Sequence, residues 1–109
     1  MSEFTEILQA LEKFRDERDW KQFHNPKDLA IALSIESGEL LEKFLWKGAD
    51  EADLEGMKEE LADVFAYAFL LAGRCGFDVR ELVMEKIRKN AEKYPVDKAR
   101  GTAKKYNEL

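Results

Sequence analysis

Apolar residues recur along this chain at helical spacing and nowhere alternate for long enough to make a convincing strand. Phe4, Ile7, Leu8, Leu11 and Phe14 mark one side of a helix over residues 2–18, with Glu3, Glu6, Glu12, Lys13 and Arg15 assigned to the other. Ser2 is placed to cap it. The segment RDWKQFHNP then breaks the pattern with two aromatics and a histidine. Asn25 followed by Pro26 supplies an N-cap and a first-turn proline, so a second helix is predicted from about Pro26 to Trp46. The charged connection KGADEADLEG leads to a third helix, from about Leu54 to Arg74, ended by Gly76. Asp78 caps a fourth, carried by Val79, Leu82, Val83 and Ile87 to about Tyr94, where Pro95 stops it. The expected class is all-α, a four-helix bundle of one domain over residues 1–94. The basic tail 95–109 has little to bury and is expected to be mobile unless a ligand or a neighbouring chain orders it.

Helices two and three are apolar around most of their circumference. Ile31, Leu41 and Leu45 lie well away from Leu29, Leu33 and Leu40, and Ala66 and Phe69 lie well away from Leu61 and Val64. A chain of 109 residues can hardly cover two such helices, so a homodimer or homotetramer is expected.

Two pairs of acids interrupt these apolar helices. At about 100° per residue, Glu36 falls within the stripe of Leu29, Leu33, Leu40 and Phe44, with Glu39 about 60° to one side. On the third helix Glu60, Asp63 and Tyr67 lie within about 60° of one another beside Met57, Leu61, Val64 and Ala68, while Glu59 points away. Antiparallel packing of the two helices would bring four carboxylates together, which is intolerable without a cation. Oxygen-only ligands suit Mg²⁺, Mn²⁺ or Ca²⁺, of which Mg²⁺ is expected with Mn²⁺ able to substitute, whereas di-iron bundles use Glu-x-x-His pairs and structural zinc uses thiolate and imidazole. Mg²⁺ is commonly bound together with substrate phosphates, which points to phosphate-ester or phosphoanhydride chemistry. The competing reading is a solvated acidic face with Lys43 and Lys58 as partners.

Other side chains suit the rest of such a substrate. Lys86 and Asn90 interrupt the arc of Val79, Val83 and Tyr94, where a lysine can meet phosphate and an asparagine can read a base or ribose edge. Trp20 and Trp46 flank helix two and offer faces on which a nucleobase can stack. Taken singly, each tryptophan is more often a core lid, His24 a capping residue and Tyr67 a core tyrosine.

Charge and cysteine usage narrow the setting. A net charge of −5 argues against a general nucleic-acid binder. The single cysteine, Cys75, cannot form an internal disulfide, and MSEFTE has neither part of a signal peptide, so a cytoplasmic protein is expected. The apolar run Val64–Gly73 is about half of the ~20 residues needed to cross a bilayer, so no membrane association is expected. No P-loop, dinucleotide fingerprint or nucleophile elbow occurs.

The stretches RDWKQFHNPKDLAIALSIESGELLEKFLWK, EELADVFAYAF and KIRKNAEKYPVDKARGTAKKY together resemble the MazG-type nucleoside triphosphate pyrophosphohydrolases, in particular the small single-domain branch that includes the dCTP pyrophosphatases. The resemblance runs from about Arg18 to Tyr106. It implies Mg²⁺-dependent hydrolysis of a nucleoside triphosphate to monophosphate and pyrophosphate, with dCTP-like preference. By motif, Glu36, Glu39, Glu60 and Asp63 become metal ligands, and Glu36 or Glu39 the group that activates water. Lys86, Asn90, Lys93 and Tyr94 fall near phosphates and sugar; Trp20, His24, Trp46 and Tyr67 fall around the base. The resemblance also implies dimers or tetramers with sites shared between chains. The alternative is a non-catalytic all-α oligomerisation or regulatory module that only binds nucleotide or metal.

Overall fold

The computed structural model describes residues 1–109 and is helical throughout, without a strand. Its helices are α1 (Glu3–Glu17), α2 (Pro26–Glu42), α3 (Leu54–Arg74), α4 (Val79–Lys93) and a short α5 (Val96–Ala99). Two 3-10 turns, Lys21–Phe23 and Tyr106–Glu108, complete the order. The chain forms two compact units, Met1–Phe77 and Asp78–Leu109. No helix is long and apolar enough to cross a membrane.

The helix starts lie where the capping residues set them. The side chains of Ser2, Asn25, Asp53 and Asp78 accept from the backbone N–H groups of Thr5, Asp28, Glu55 with Gly56, and Glu81. Each bond satisfies a donor that the first helical turn leaves without a partner. At the end of α3, Gly76 takes φ +74°, and the N–H groups of Gly76 and Phe77 return to the carbonyls of Gly73 and Ala72. Two otherwise unpaired carbonyls are thereby satisfied in a left-handed cap.

Helix α2 ends at Glu42 rather than near Trp46. Beyond it the chain tightens into successive i to i+3 bonds, from Phe44 N–H to Leu41, Leu45 N–H to Glu42 and Lys47 N–H to Phe44. Trp46 adopts φ +61°, a left-handed conformation that no right-handed helix can pass through. The apolar spacing of Phe44 and Leu45 continues through this change, because periodicity does not distinguish the last α-turn from the tighter turns that follow it.

In the first unit α3 is the central helix, with α2 and α1 packed on it. Leu29, Phe69, Leu70 and Ala72 form the buried core, and the Phe4 and Phe69 rings meet with centroids 6.0 Å apart. At Gly73 a Cβ would come within 2.9 Å of both Leu8 methyls, so the missing side chain lets α1 approach α3. Helices α2 and α3 run antiparallel: Lys43 lies by Gly56 and Glu60, whereas Glu36, two turns earlier, lies by Glu60 and Asp63. The excess apolar surface is real, with Ile31, Ile35, Leu41, Leu61 and Phe65 all exposed.

In the second unit the tail has local structure of its own. After Pro95 it forms α5, and Tyr106 packs edge-on against Tyr94 at 6.2 Å with the Lys93 ammonium 5.0 Å from the Tyr106 ring. An aromatic pair and a cation on a ring face give a short basic segment something to fold against.

Leu29 is 1% exposed, and truncating so fully buried a side chain leaves a cavity. Leu29→Ala is expected to lower unfolding stability by about 2–5 kcal/mol, measured by chemical denaturation at unchanged m-value. A loss below about 1 kcal/mol would mean that the core closes over the gap.

Candidate active site

The crossing of α2 and α3 carries the acids. Glu36 and Glu39 come from α2, Glu60 and Asp63 from α3, and one ligand oxygen from each of Glu36, Glu60 and Asp63 lies within 4.8 Å of the others. Glu39 faces both Glu36 and Glu60. Glu36 Oε2 and Glu60 Oε2 are buried with no hydrogen-bond partner. The one cation within ion-pair reach of any of the four is Lys43, whose Nζ stands 4.0 Å from Glu60 Oε1.

The electrostatics follow from that crowding. Burial, reinforced by the negative charges of Glu39, Asp63 and Glu60, pushes the Glu36 carboxyl up from its ordinary 4.5 to about 7. Burial and Glu39 push Glu60 in the same direction, with Lys43 opposing. The Tyr67 hydroxyl, one turn beyond Asp63, is also pushed up, first by burial and then by Glu36, Asp63 and Glu39, so it stays protonated and able to donate. Unpartnered buried oxygens, mutual repulsion and an oxygen-only donor set fit a hard divalent cation.

A cavity of about 220 Å³ opens beside the acids and is lined by Trp20, His24, Asp63 and Tyr67 over an apolar floor that includes Phe14 and Leu70. Local chain geometry places Trp20 there. Asp19 takes φ +56°, the Trp20 N–H bonds to the Arg15 carbonyl at 3.0 Å, and the indole meets Phe14 edge-on at 5.8 Å. On Phe14 itself the Arg18 guanidinium lies 3.6 Å from the ring centre. His24 closes the 3-10 turn, with Nδ1 buried and unpartnered. Burial, aided by Arg15, lowers its pKa and holds the imidazole towards the neutral form.

Arg15 is a correction. Assigned from sequence to the polar side of the first helix, it is 7% exposed, with Nε donating to Asp16 Oδ1 at 2.8 Å and Nη2 3.8 Å from Glu12 Oε2. Its guanidinium holds the Asp16 carboxyl below the usual range. Residues 18–24 fold back across the end of α1 and cover it. A signal was available: Arg15 lies seven residues after Leu8 and four after Leu11, on the same helical edge.

The structure thus brings Glu36, Glu39, Glu60, Asp63 and Tyr67 together, with Trp20 and His24 around the adjoining cavity. Trp46 stands apart, 99% exposed in the connection after α2. Lys86, Asn90 and Lys93 are exposed on α4 and Tyr94 is half-buried at its end, all within the second unit.

Residues 31–109, which include both acid pairs, match the MazG-like family model. The chain belongs to the MazG-like family. Among curated proteins this MazG-like chain is 42% identical over 105 residues to dCTP pyrophosphatase 1 of Mus musculus, an alignment covering 89% of the chain and 62% of the relative. The identity and coverage are the same for dCTP pyrophosphatase 1 of Homo sapiens. The chain therefore spans about three fifths of the length of these relatives. Among solved structures, a pyrophosphatase from Archaeoglobus fulgidus superposes with a TM-score of 0.78 at 37% identity, covering 87% of this chain and 94% of that one.

The raised acid has a consequence for stability. Between pH 4.5 and about 7 the folded chain holds a proton on Glu36 that the unfolded chain has released, so this group makes stability fall as pH rises through that window. Thermal unfolding in EDTA should show the fall, and Glu36→Gln should flatten it. An equal slope in the variant would mean that Glu36 titrates normally.

Proposed function

We propose that this MazG-like chain is a Mg²⁺-dependent nucleoside triphosphate pyrophosphohydrolase that cleaves a (d)NTP to (d)NMP and pyrophosphate, with dCTP-like preference. The observation that carries the reading is the pair of buried, unpartnered carboxylate oxygens on Glu36 and Glu60, set with Asp63 beside an aromatic-lined cavity. A solvated acidic face would leave those oxygens in water. The relatives named dCTP pyrophosphatase 1 and the Archaeoglobus neighbour described as a pyrophosphatase support the class of reaction.

In this reading Glu36, Glu39, Glu60 and Asp63 hold the cation, Mg²⁺ or Mn²⁺. An ion these residues would hold would supply neutralising charge to the triphosphate. Glu36 or Glu39 orients a water and takes its proton as the oxygen bonds to the α-phosphorus, and the α–β bridging bond breaks in line. Pyrophosphate departs with the bridging electrons. The family resemblance assigns Lys86 and Lys93 to phosphate and Asn90 and Tyr94 to the sugar. Trp20, His24 and Tyr67 receive the base in the cavity that Asp63 also lines, so base and phosphates meet at one residue. The exposed Trp46 and the uncovered faces of α2 and α3 support an assembly of two or four chains in which a second copy covers them.

Glu39→Gln should lower kcat for pyrophosphate release by about 100-fold or more, with helicity by circular dichroism unchanged. Retained turnover removes Glu39 from the reaction. If the unaltered protein binds dNTPs with Mg²⁺ but releases no pyrophosphate above an EDTA control, the chain is a binding module. If assembly brings the Trp46 of a second copy over the base, Trp46→Ala should raise KM by about tenfold across nucleotides, the size of one lost stacking surface. An unchanged KM would leave Trp46 outside the base site.

A further inference from the structure

Lys43 has no part in the reaction proposed above, yet it is the cation nearest the acid cluster. It caps the C-terminal end of α2, its N–H bonded to the Leu40 and Leu41 carbonyls, and its side chain crosses to α3. It passes close over Gly56, where a Cβ would lie 3.2 Å from Asp53 Oδ2, 3.3 Å from Lys43 Nζ and 3.4 Å from Cε. The ammonium then stands 4.0 Å from Glu60 Oε1, beyond hydrogen-bond distance, while Glu60 Oε2 is buried and unpartnered. The Lys43 side chain is 38% exposed against 20% for Glu60, so the cation sits at the solvent side of the pair.

That geometry is one of loose attachment. A strongly hydrated point charge on a flexible stem, ion-paired but not hydrogen-bonded, loses little when it leaves. We propose that Lys43 is a tethered counter-cation of this centre, offsetting the carboxylates of α2 and α3 in the metal-free protein and displaced from Glu60 when a divalent ion binds. The inference rests on the reading that these carboxylates take such an ion. Lys43 touches no reacting atom in this role. It sets how tightly the metal is held and lets the helices pack before the metal arrives.

The test is calorimetric titration of Mg²⁺ and of Mn²⁺, without nucleotide, into the full chain and its Lys43→Met, Lys43→Gln and Lys43→Arg variants, each checked for helicity. Removing the competing charge should tighten metal binding about fivefold in Lys43→Met and Lys43→Gln. Their metal-free melting temperatures should fall below that of the unaltered protein and rejoin it at saturating metal. Lys43→Arg should keep the original affinity. Unchanged or weaker metal binding in both neutral variants overturns the proposal, as does an arginine variant that behaves like methionine. If the neutral variants bind metal normally and show only a raised KM for nucleotide, Lys43 is a phosphate contact and the proposal fails. Failure of the unaltered chain to bind either ion sinks the metal-centre reading and this inference together, whereas normal binding with no effect of Lys43 sinks only the latter.

Discussion

Repulsion among carboxylates carried by two adjacent helices is the constraint on which the rest of this structure depends. Glu36 and Glu60 each bury one oxygen that no protein group satisfies, with Asp63 and Glu39 close by. Removing charges from water costs several kcal/mol per ion unless pairing offsets it. Lys43 offsets part of that cost at Glu60, and the raised carboxyl of Glu36 offsets more by keeping its proton. What remains must be resisted by packing, and the fully buried Leu29 of α2 with Phe69, Leu70 and Ala72 of α3 supplies it a few turns away along the same helices. The acids and the core thus share one pair of helices, and the crossing of that pair brings the carboxylates together.

Much of this was legible in the sequence because the signals are local. Ser2, Asn25 with Pro26, Asp78 and Gly76 mark helix ends through chemistry that acts within four residues, and the structure uses each of them. The acids were legible for the same reason: a helical wheel shows Glu36 inside an apolar stripe whatever lies opposite. Features that depend on chain segments folding over one another were not. Arg15 shares an edge with Leu8 and Leu11, which hints that it faces α3, but its charge argues the other way and its enclosure is completed only by residues 18–24 folding back. The end of α2 escaped because Phe44 and Leu45 keep the apolar spacing after the backbone has left the helix. The structure of the tail escaped because it depends on Tyr106 meeting Tyr94 and Lys93.

The cavity and the acid cluster are not independent sites that happen to adjoin. Asp63 belongs to both, and Tyr67 lines the cavity while its hydroxyl responds to Glu36, Asp63 and Glu39. Charge at the crossing is thus felt by the groups that face a ligand in the cavity. Without added positive charge the acids repel any anion that approaches along the crossing, while Tyr67, whose hydroxyl burial and then the acids push up, stays a hydrogen-bond donor. Positive charge delivered to the carboxylates weakens that repulsion while leaving the tyrosine a donor, since its ordinary pKa already lies far above neutrality. An uncharged ring in the cavity and an anionic chain at the crossing therefore make opposite demands, and only the second needs the acids neutralised. Under the proposed function this division suits a nucleotide, whose ring would enter the cavity and whose phosphates would need the acids neutralised by a cation that Glu36, Glu39, Glu60 and Asp63 would hold.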